Sequence, residues 1–398
     1  MDAMTHTTTA ADPADDRFDA VVAGGGIVGA AAALGLLARG DRVRWLRRAQ
    51  AIPPLPQGYA ARVYALSPGN LAWLETLGVA AHLDTTRIGS VRAMEIRPRH
   101  GAGLDLSAQQ AGVPEMALIV ESDNLLLALE ATVAAHGARM AAPSNASIAG
   151  MRELGHSALQ LDLDDGTRLA TRLLVAADGA HSPLRTLTGI DTSAKDYGHR
   201  AVVANFACEK PHRGIACQWF DNGAVLAWLP LPDRHVSMVW SLPEARADAL
   251  LALDEAAFTA RVAAAGNHRW GAMTRVSQPQ AFPLRRQRAR RLTATRMALV
   301  GDAAHVVHPL AGQGMNLGLR DVRALLEATA GRRDPGDAHA LARYRTLRQT
   351  DVHGIETVTD GLFHLFGDTL GGFVGGHGMG LLNHLAPLKS EMVRQAMR

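Results

Sequence analysis

The densest chemistry in the chain runs from Gly301-Asp302-Ala303-Ala304-His305, through Val306-Val307-His308-Pro309-Leu310, to Ala311-Gly312-Gln313-Gly314-Met315-Asn316. The uncharged run Met297-Ala298-Leu299-Val300 just before it reads as a buried parallel strand. The Asp302 carboxylate therefore emerges at a strand's carboxyl end, where α/β sheets bind ligands. After Pro309, Gly312 and Gly314 let the backbone approach a ligand closely, and Met315, Leu319, Val322 and Leu326 then recur at helical spacing. The spacing predicts a helix from about Gly314. Its unpaired N–H groups and positive dipole end suit a ring or group that carries negative charge. An ordinary strand–loop–helix, with glycines for tight turns, is the competing reading. His308 is the nearest titratable side chain to this loop and a candidate base; a structural histidine in a turn is the alternative.

Two further constellations point to a dinucleotide. Residues 18–23 read as a short strand, Gly24-Gly25-Gly26-Ile27-Val28-Gly29 has the G-x-G-x-x-G spacing, 30–39 reads as a helix and 42–46 as a second strand. Gly24 allows the tight turn, Gly26 the close approach of a pyrophosphate, and Gly29 the packing of helix on strand. The second strand of such a unit normally ends in an Asp or Glu for the adenosine ribose, and here that slot holds Arg47, which has no acceptor. Stacking or cation contacts at the adenosine end, weaker dinucleotide affinity, or a 2′-phosphorylated dinucleotide such as NADP are the open consequences. The second constellation is Asp178-Gly179, which follows the apolar run 173–177: the carboxylate can accept from ribityl hydroxyls while Gly179 lets the backbone close in, although the bare dipeptide means only a turn. Arg62 follows a Pro53, Pro54, Pro56 linker that can return to the cofactor; a surface arginine is the equal alternative.

A chain of 398 residues suffices for two domains and a terminal appendage. With 47% hydrophobic and 20% charged residues the chain is globular, and a net charge of +3 argues against a nucleic-acid partner. Cys208 and Cys217 are too few for a disulfide framework and lack metal-ligand spacing, so no metal is expected and a cytoplasmic setting is the default. The uncharged stretch 20–38 has the length of a membrane span, but its clustered Gly24, Gly25, Gly26 and Gly29 mark a strand-to-helix turn instead. Residues 91–98 read as an excursion strand, 122–136 as a capped helix, and 147–174 as an antiparallel meander. Segments 201–207, 215–220, 224–229 and 235–242 read as four strands, followed by one helix over 243–265. Trp219 and Trp228 on this meander are candidate contacts for a flat aromatic substrate, with Trp240 beside them; core packing is the competing reading for each. Arg285, Arg286, Arg288, Arg290, Arg291 and Arg296 read as a basic connector that can meet nicotinamide phosphates, anionic lipid or only water. Beyond Arg343 the chain reads as helical to about Phe366, with a glycine-rich hinge from Gly371.

With Gly24–Gly29, Asp178-Gly179 and Gly301-Asp302 in this order, the sequence resembles the class A FAD-dependent aromatic hydroxylases, the para-hydroxybenzoate hydroxylase-like group. Within them it resembles the ubiquinone-biosynthesis hydroxylases of the UbiH/VisC type. The likeness covers roughly Phe18 to Lys389, and its most specific parts are Arg62-Val63-Tyr64-Ala65-Leu66, Tyr197-Gly198 with Ala201-Val202-Val203-Ala204, and the Gly301 to Asp321 stretch. Arg47, Ser122 after Glu121, and the Gly-rich tail depart from the usual pattern. The resemblance implies an α/β fold: a discontinuous Rossmann-like FAD-binding domain (17–90, 102–195 and 284–350), an inserted antiparallel-sheet substrate domain (91–101 and 196–283) and a C-terminal helical segment (351–398). It also implies that Arg62 contacts the flavin, that Asp302 binds the ribityl-pyrophosphate region, and that Gly301, Pro309, Gly312, Gly314, Met315 and Asn316 complete the flavin end. The implied reaction is hydroxylation of a polyprenylated phenol or quinol by NAD(P)H, O₂ and a flavin C4a-hydroperoxide, in the cytoplasm or peripherally on the inner membrane, with a quinone-biosynthesis complex as a candidate partner. An NAD(P)-linked dehydrogenase and a non-catalytic flavin-binding scaffold are the alternatives.

Overall fold

Apolar runs and alternating stretches resolve into three sheets among the described residues of the computed structural model, which are 17–47, 54–56, 58–98, 103–137, 140–221, 223–307 and 313–349. The order begins β1 (Arg17–Ala23), α1 (Ile27–Ala38), β2 (Val43–Leu46), β3 (Val63–Leu66), α2 (Pro68–Thr76), β4 (Gly89–Val91), β5 (Ala93–Arg97), β6 (Leu104–Ser107), α3 (Ala108–Ala111), β7 (Ala117–Glu121) and α4 (Ser122–Ala135). It continues with β8 (Met140–Ser144), β9 (Ile148–Leu154), β10 (Ala158–Leu163), β11 (Arg168–Ala176), α5 (Pro183–Leu187), β12 (Thr192–Cys208), β13 (Ile215–Asp221), β14 (Ala224–Leu231) and β15 (His235–Pro243). Last come α6 (Glu244–Leu251), α7 (Glu255–Ala265), β16 (Met273–Arg275), β17 (Gln280–Ala289), β18 (Thr293–Ala294), β19 (Met297–Leu299), β20 (His305–Val306), α8 (Gln313–Thr329) and a helix over 338–349.

The first sheet is a Rossmann-like parallel array, β19-β11-β1-β2-β8, with β18 on its edge and the β9–β10 hairpin on β11. Its strands are apolar on both faces because both are covered. Ala20 and Val22 pack against α1, α4 and α8, whereas Val21 and Ala23 pack toward Leu159 and Leu161 of the hairpin. Since β1, β11 and β19 are neighbours, the three loops leaving their carboxyl ends adjoin. Those loops carry Gly24, Asp178 and Gly301-Asp302.

The second sheet, β20-β17-β12-β15-β14-β13-β5-β6, is antiparallel except where β13 meets β5, and α6 and α7 cover one face. The small sheet β3-β7-β4 lies between the two larger ones, packing Val63, Ala65 and Ile119 against Ala216, Leu229 and Leu231. Three local expectations are corrected. β12 is 17 residues long rather than seven, because Thr192–Asp196 also pairs with β17. The basic connector is in part strand: β17 runs to Ala289 and carries Arg285, Arg286 and Arg288. The helix expected over 243–265 is two, because Asp254 accepts from Ala257 N at 2.8 Å and starts α7 afresh. The tail beyond residue 349, with its glycine hinge, lies outside the described residues.

Candidate active site

The nucleotide turn is built by close backbone contact. A Cβ on Gly24, whose φ is +132°, would meet Ala177 O at 2.1 Å, so the β1–α1 turn lies directly on the loop after β11. Gly29 is held as tightly, with Gly24 O at 2.1 Å from its missing Cβ. Gly26 differs: nothing lies within 4 Å of its Cβ position, and no side chain caps α1, so that face is open to a ligand and the helix's first N–H groups are available to an anion.

On the neighbouring loop, Asp178 Oδ2 accepts from Leu184 N at 3.1 Å, which orders the start of α5, while Oδ1 is buried with no partner. A buried acceptor without a donor is costly, and a ligand hydroxyl would satisfy it. Burial raises the Asp178 carboxyl above its ordinary value, against the pull of Ser182, the Leu184 N–H and Arg185. Gly179 faces open space. Arg185 ties this loop to the third one, donating to Ala180 O at 2.8 Å and to Ala303 O at 2.9 Å.

The third loop makes a 3-10 turn over Gly301–Ala303. Asp302 is solvent-accessible but walled by protein: burial in that cleft raises its carboxyl, with His305 and Arg62 opposing. Behind the turn is a buried ionic cluster that the sequence reading missed. Asp321 Oδ2 accepts from Gly301 N at 2.8 Å and lies 2.8 Å from His305 Nε2, and Asp321 Oδ1 accepts from Arg348 Nε at 2.7 Å. The helix begins as expected, but the Asn316 side chain is engaged elsewhere. Its Oδ1 accepts from Ser67 N at 2.7 Å and Asn70 Nδ2 at 3.1 Å, and its Nδ2 donates to Ala65 O at 2.7 Å. Asn316, 2% exposed, thus clamps α8 to β3 and α2, and its backbone carbonyl also accepts from Asn70 Nδ2 at 3.2 Å. Met315 packs against the first core, and Gly314 stands near Val307. His308, Pro309 and Gly312 lie outside the described residues.

Arg62 is exposed beside the clamp, its guanidinium 5.3 Å from the Tyr64 ring and 5.7 Å from the Phe282 ring. The chain before it is pinned by a second missed cluster. Fully buried Glu121 takes a two-point ion pair from Arg87, at 2.7 and 2.8 Å, and Arg87 also donates to Pro56 O and Gly58 O. The only sequence signal was a carboxylate, Glu121, closing the apolar run 117–120. Arg47 leaves the end of β2 to pair with Glu130 of α4.

The tryptophan expectation is corrected. Trp219, Trp228 and Trp240 all lie on the face of the second sheet covered by α6 and α7. Trp228 is 0% exposed and packs edge-on against Phe206 at 5.9 Å, so it offers no face to a substrate; Trp219 is partly buried against the same core. The opposite face meets the Tyr59–Arg62 segment: Asn205 Nδ2 donates to Tyr59 O and Ala60 O, and Phe282 lies under Arg62. Two cross-strand rows define it, Val225–Ser241–Ala201–Phe282 and Gln218–Ala227–Val239–Val203. Ala227 and Val239 are its half-buried centre, and the Ser241 hydroxyl is buried without a partner. Cys208 and Cys217 are buried thiols that burial pushes up to about 12, which removes them as nucleophiles.

Comparison with known proteins agrees with this geometry. Residues 17–357 match the family model described as FAD binding domain. The chain is 33% identical to the 3-demethoxyubiquinol 3-hydroxylase of Escherichia coli over 88% of this chain and 90% of that protein. It is also 33% identical to the ubiquinone hydroxylase UbiL of Rhodospirillum rubrum over 96% and 90%. The crystal structure of P. aeruginosa PqsL shares the fold, with a TM-score of 0.76 at 24% identity over 91% of this chain and 99% of that one. The open approach at Gly26 and Gly179, the unpartnered Asp178 Oδ1 and the uncapped α1 fit FAD. With those contacts gathered on three adjacent parallel strands, the chain belongs to the FAD-binding-domain family, among the FAD-dependent hydroxylases of ubiquinone biosynthesis.

Proposed function

We propose that this protein hydroxylates the aromatic ring of a polyprenylated phenol or quinol precursor of ubiquinone, using FAD, NAD(P)H and O₂. The observation that carries the reading is the meeting of Gly24, Asp178-Gly179 and Gly301-Asp302 at the carboxyl ends of three adjacent parallel strands. Bound FAD supplies the electron transfer from NAD(P)H and the activation of O₂. The protein's part is placement. Gly26 and the start of α1 receive the pyrophosphate, Asp178 Oδ1 accepts a ribityl hydroxyl, and Asp302 faces the ribityl-pyrophosphate region. Arg62 and the amino end of α8 put positive charge beside the ring edge that gains negative charge.

The substrate's flat ring lies on Ala227 and Val239, with the Ser241 hydroxyl available to a phenolic oxygen, and small side chains leave room for the ring. Residues 91–101 and 196–283 form the body of this substrate domain. A prenylated substrate partitions into lipid, so we place the working position at a membrane surface, in contact with a quinone-making assembly. Among the described residues no helix is long and apolar enough to cross a membrane. The dehydrogenase alternative leaves Asp178 and Asp302 without a role.

The test is reconstitution of purified protein with FAD, followed by NAD(P)H oxidation and mass analysis with a short-chain prenylphenol. A flavin spectrum and a product heavier by one oxygen atom are expected. Absence of a flavin spectrum after reconstitution, or hydride transfer without O₂ uptake, defeats the proposal.

A further inference from the structure

We infer that the adenosine ribose of FAD is met in this chain by Glu130 of α4, carried to the end of β2 by Arg47. This rests on the FAD reading above and assigns a role to the feature that departs most from the dinucleotide pattern. That pattern takes an acid from the end of the second strand, because a carboxylate accepts from the ribose hydroxyls. Arg47 stands there instead, and a guanidinium has donors only.

The surroundings of Arg47 show where the acceptor has gone. Its backbone N–H donates to Ser144 O at 2.9 Å, its guanidinium lies 4.8 Å over the Trp45 ring, and its Nη1 donates to Glu130 Oε1. Trp45 is itself fixed: it is 1% exposed and its Nε1 donates at 2.8 Å to the carbonyl of Gly24, the first glycine of the nucleotide turn. A continuous line of contacts therefore runs Gly24, Trp45, Arg47, Glu130, and it holds a carboxylate beside the end of β2. The Arg47 and Glu130 side chains keep 22% and 20% of their surface open, so a ligand can reach them. Glu130 Oε2 takes no hydrogen bond from a described residue.

The same pair argues against a 2′-phosphorylated nucleotide. A carboxylate already neutralises Arg47 and would repel a phosphate placed there, whereas an uncharged ribose diol is a suitable donor to it. Arg47 is then a positioning residue. A purely structural reading, in which the pair only staples α4 to β2, predicts no dependence on the ribose hydroxyls.

The test titrates apo-protein with FAD, with FAD lacking the adenosine 2′-hydroxyl, and with FMN, following flavin fluorescence. Wild-type protein is expected to prefer FAD over the deoxy analogue by roughly tenfold, the worth of a hydrogen bond to a charged group. Glu130→Gln should erase that preference and weaken FAD by a similar factor while leaving FMN affinity unchanged. Arg47→Glu combined with Glu130→Gln returns the acid to β2 and should restore the preference. If Glu130→Gln does not fold, Arg47→Ala decides, because it leaves the acid present but unplaced and should lower the preference. A Glu130→Gln protein with the wild-type preference, a double variant that recovers nothing, or wild-type protein that binds FAD without preference each overturns the inference alone. Wild-type protein that binds neither FAD nor FMN overturns the flavin reading and the inference with it.

Discussion

Replacing Asp321 by Ala removes one carboxylate and breaks up a cluster behind the Gly301 turn. Gly301 N–H and Arg348 Nε lose their acceptor, at 2.8 and 2.7 Å, and His305 Nε2 loses its neighbour at 2.8 Å. Asp321 and Arg348 are each 1% exposed, so water cannot replace the lost partner. Removing one member of a buried ion pair costs about 3–5 kcal/mol, and stranding a buried N–H costs about 1–3 kcal/mol. Because these contacts share one carboxylate the costs overlap, and about 4–6 kcal/mol is the working figure. Against a total stability of about 5–15 kcal/mol, Asp321→Ala stands near the limit of folding. Urea unfolding followed by circular dichroism, with and without FAD, measures the loss. Adding Arg348→Met removes the buried charge that faced Asp321 and should recover about 1–3 kcal/mol. An Asp321→Ala protein within about 1 kcal/mol of the parent, or a double variant no more stable than the single one, refutes the reasoning.

Gly318→Ala places a Cβ 2.7 Å from Val28 Cγ2 and 3.2 Å from Gly301 Cα, so Val28 or α8 must shift; a loss of about 1–3 kcal/mol and faster FAD release in gel filtration are expected. Acid unfolding should depend on Asp321. Burial alone would raise this carboxyl, but His305, Arg348 and the Gly301 N–H outweigh it and hold it below the ordinary 3.8. Its contribution is therefore fully present above 3.8 and is lost as pH falls through the lower folded value, so Asp321→Asn should flatten the acid limb of the stability curve. Asp302 has the opposite sign: its raised carboxyl favours the folded state below 3.8, and that gain disappears as pH rises through the folded value, which Asp302→Asn should show in the same titration. Ser241→Val should raise KM for the phenol severalfold, whereas Trp228→Phe, in the helix-covered core, should leave KM unchanged and alter only thermal stability; the reverse pattern would put the substrate on the other face of the sheet.

Much of the nucleotide-binding half was legible in the sequence because its signals are short-range. A glycine spacing between a strand and a helix, an Asp-Gly after an apolar run, and helical periodicity after Gly314 each concern residues within about one element of one another. The sequence therefore determined that β1, β11 and β19 end in the loops that carry Gly24, Asp178 and Asp302, and where α8 starts. The tertiary structure decided the partners that span the chain: Asn316 with Ala65, Ser67 and Asn70, Asp321 with Arg348, Glu121 with Arg87, and Arg47 with Glu130. No local propensity encodes such pairs, because a buried polar group is satisfied by whichever donor or acceptor the packing delivers to it. The substrate sheet shows the same division. Alternation placed Trp228 and Trp240 on pleated strands, but only the docking of α6 and α7 on one face and of the Tyr59–Arg62 segment on the other decided which face the tryptophans fill.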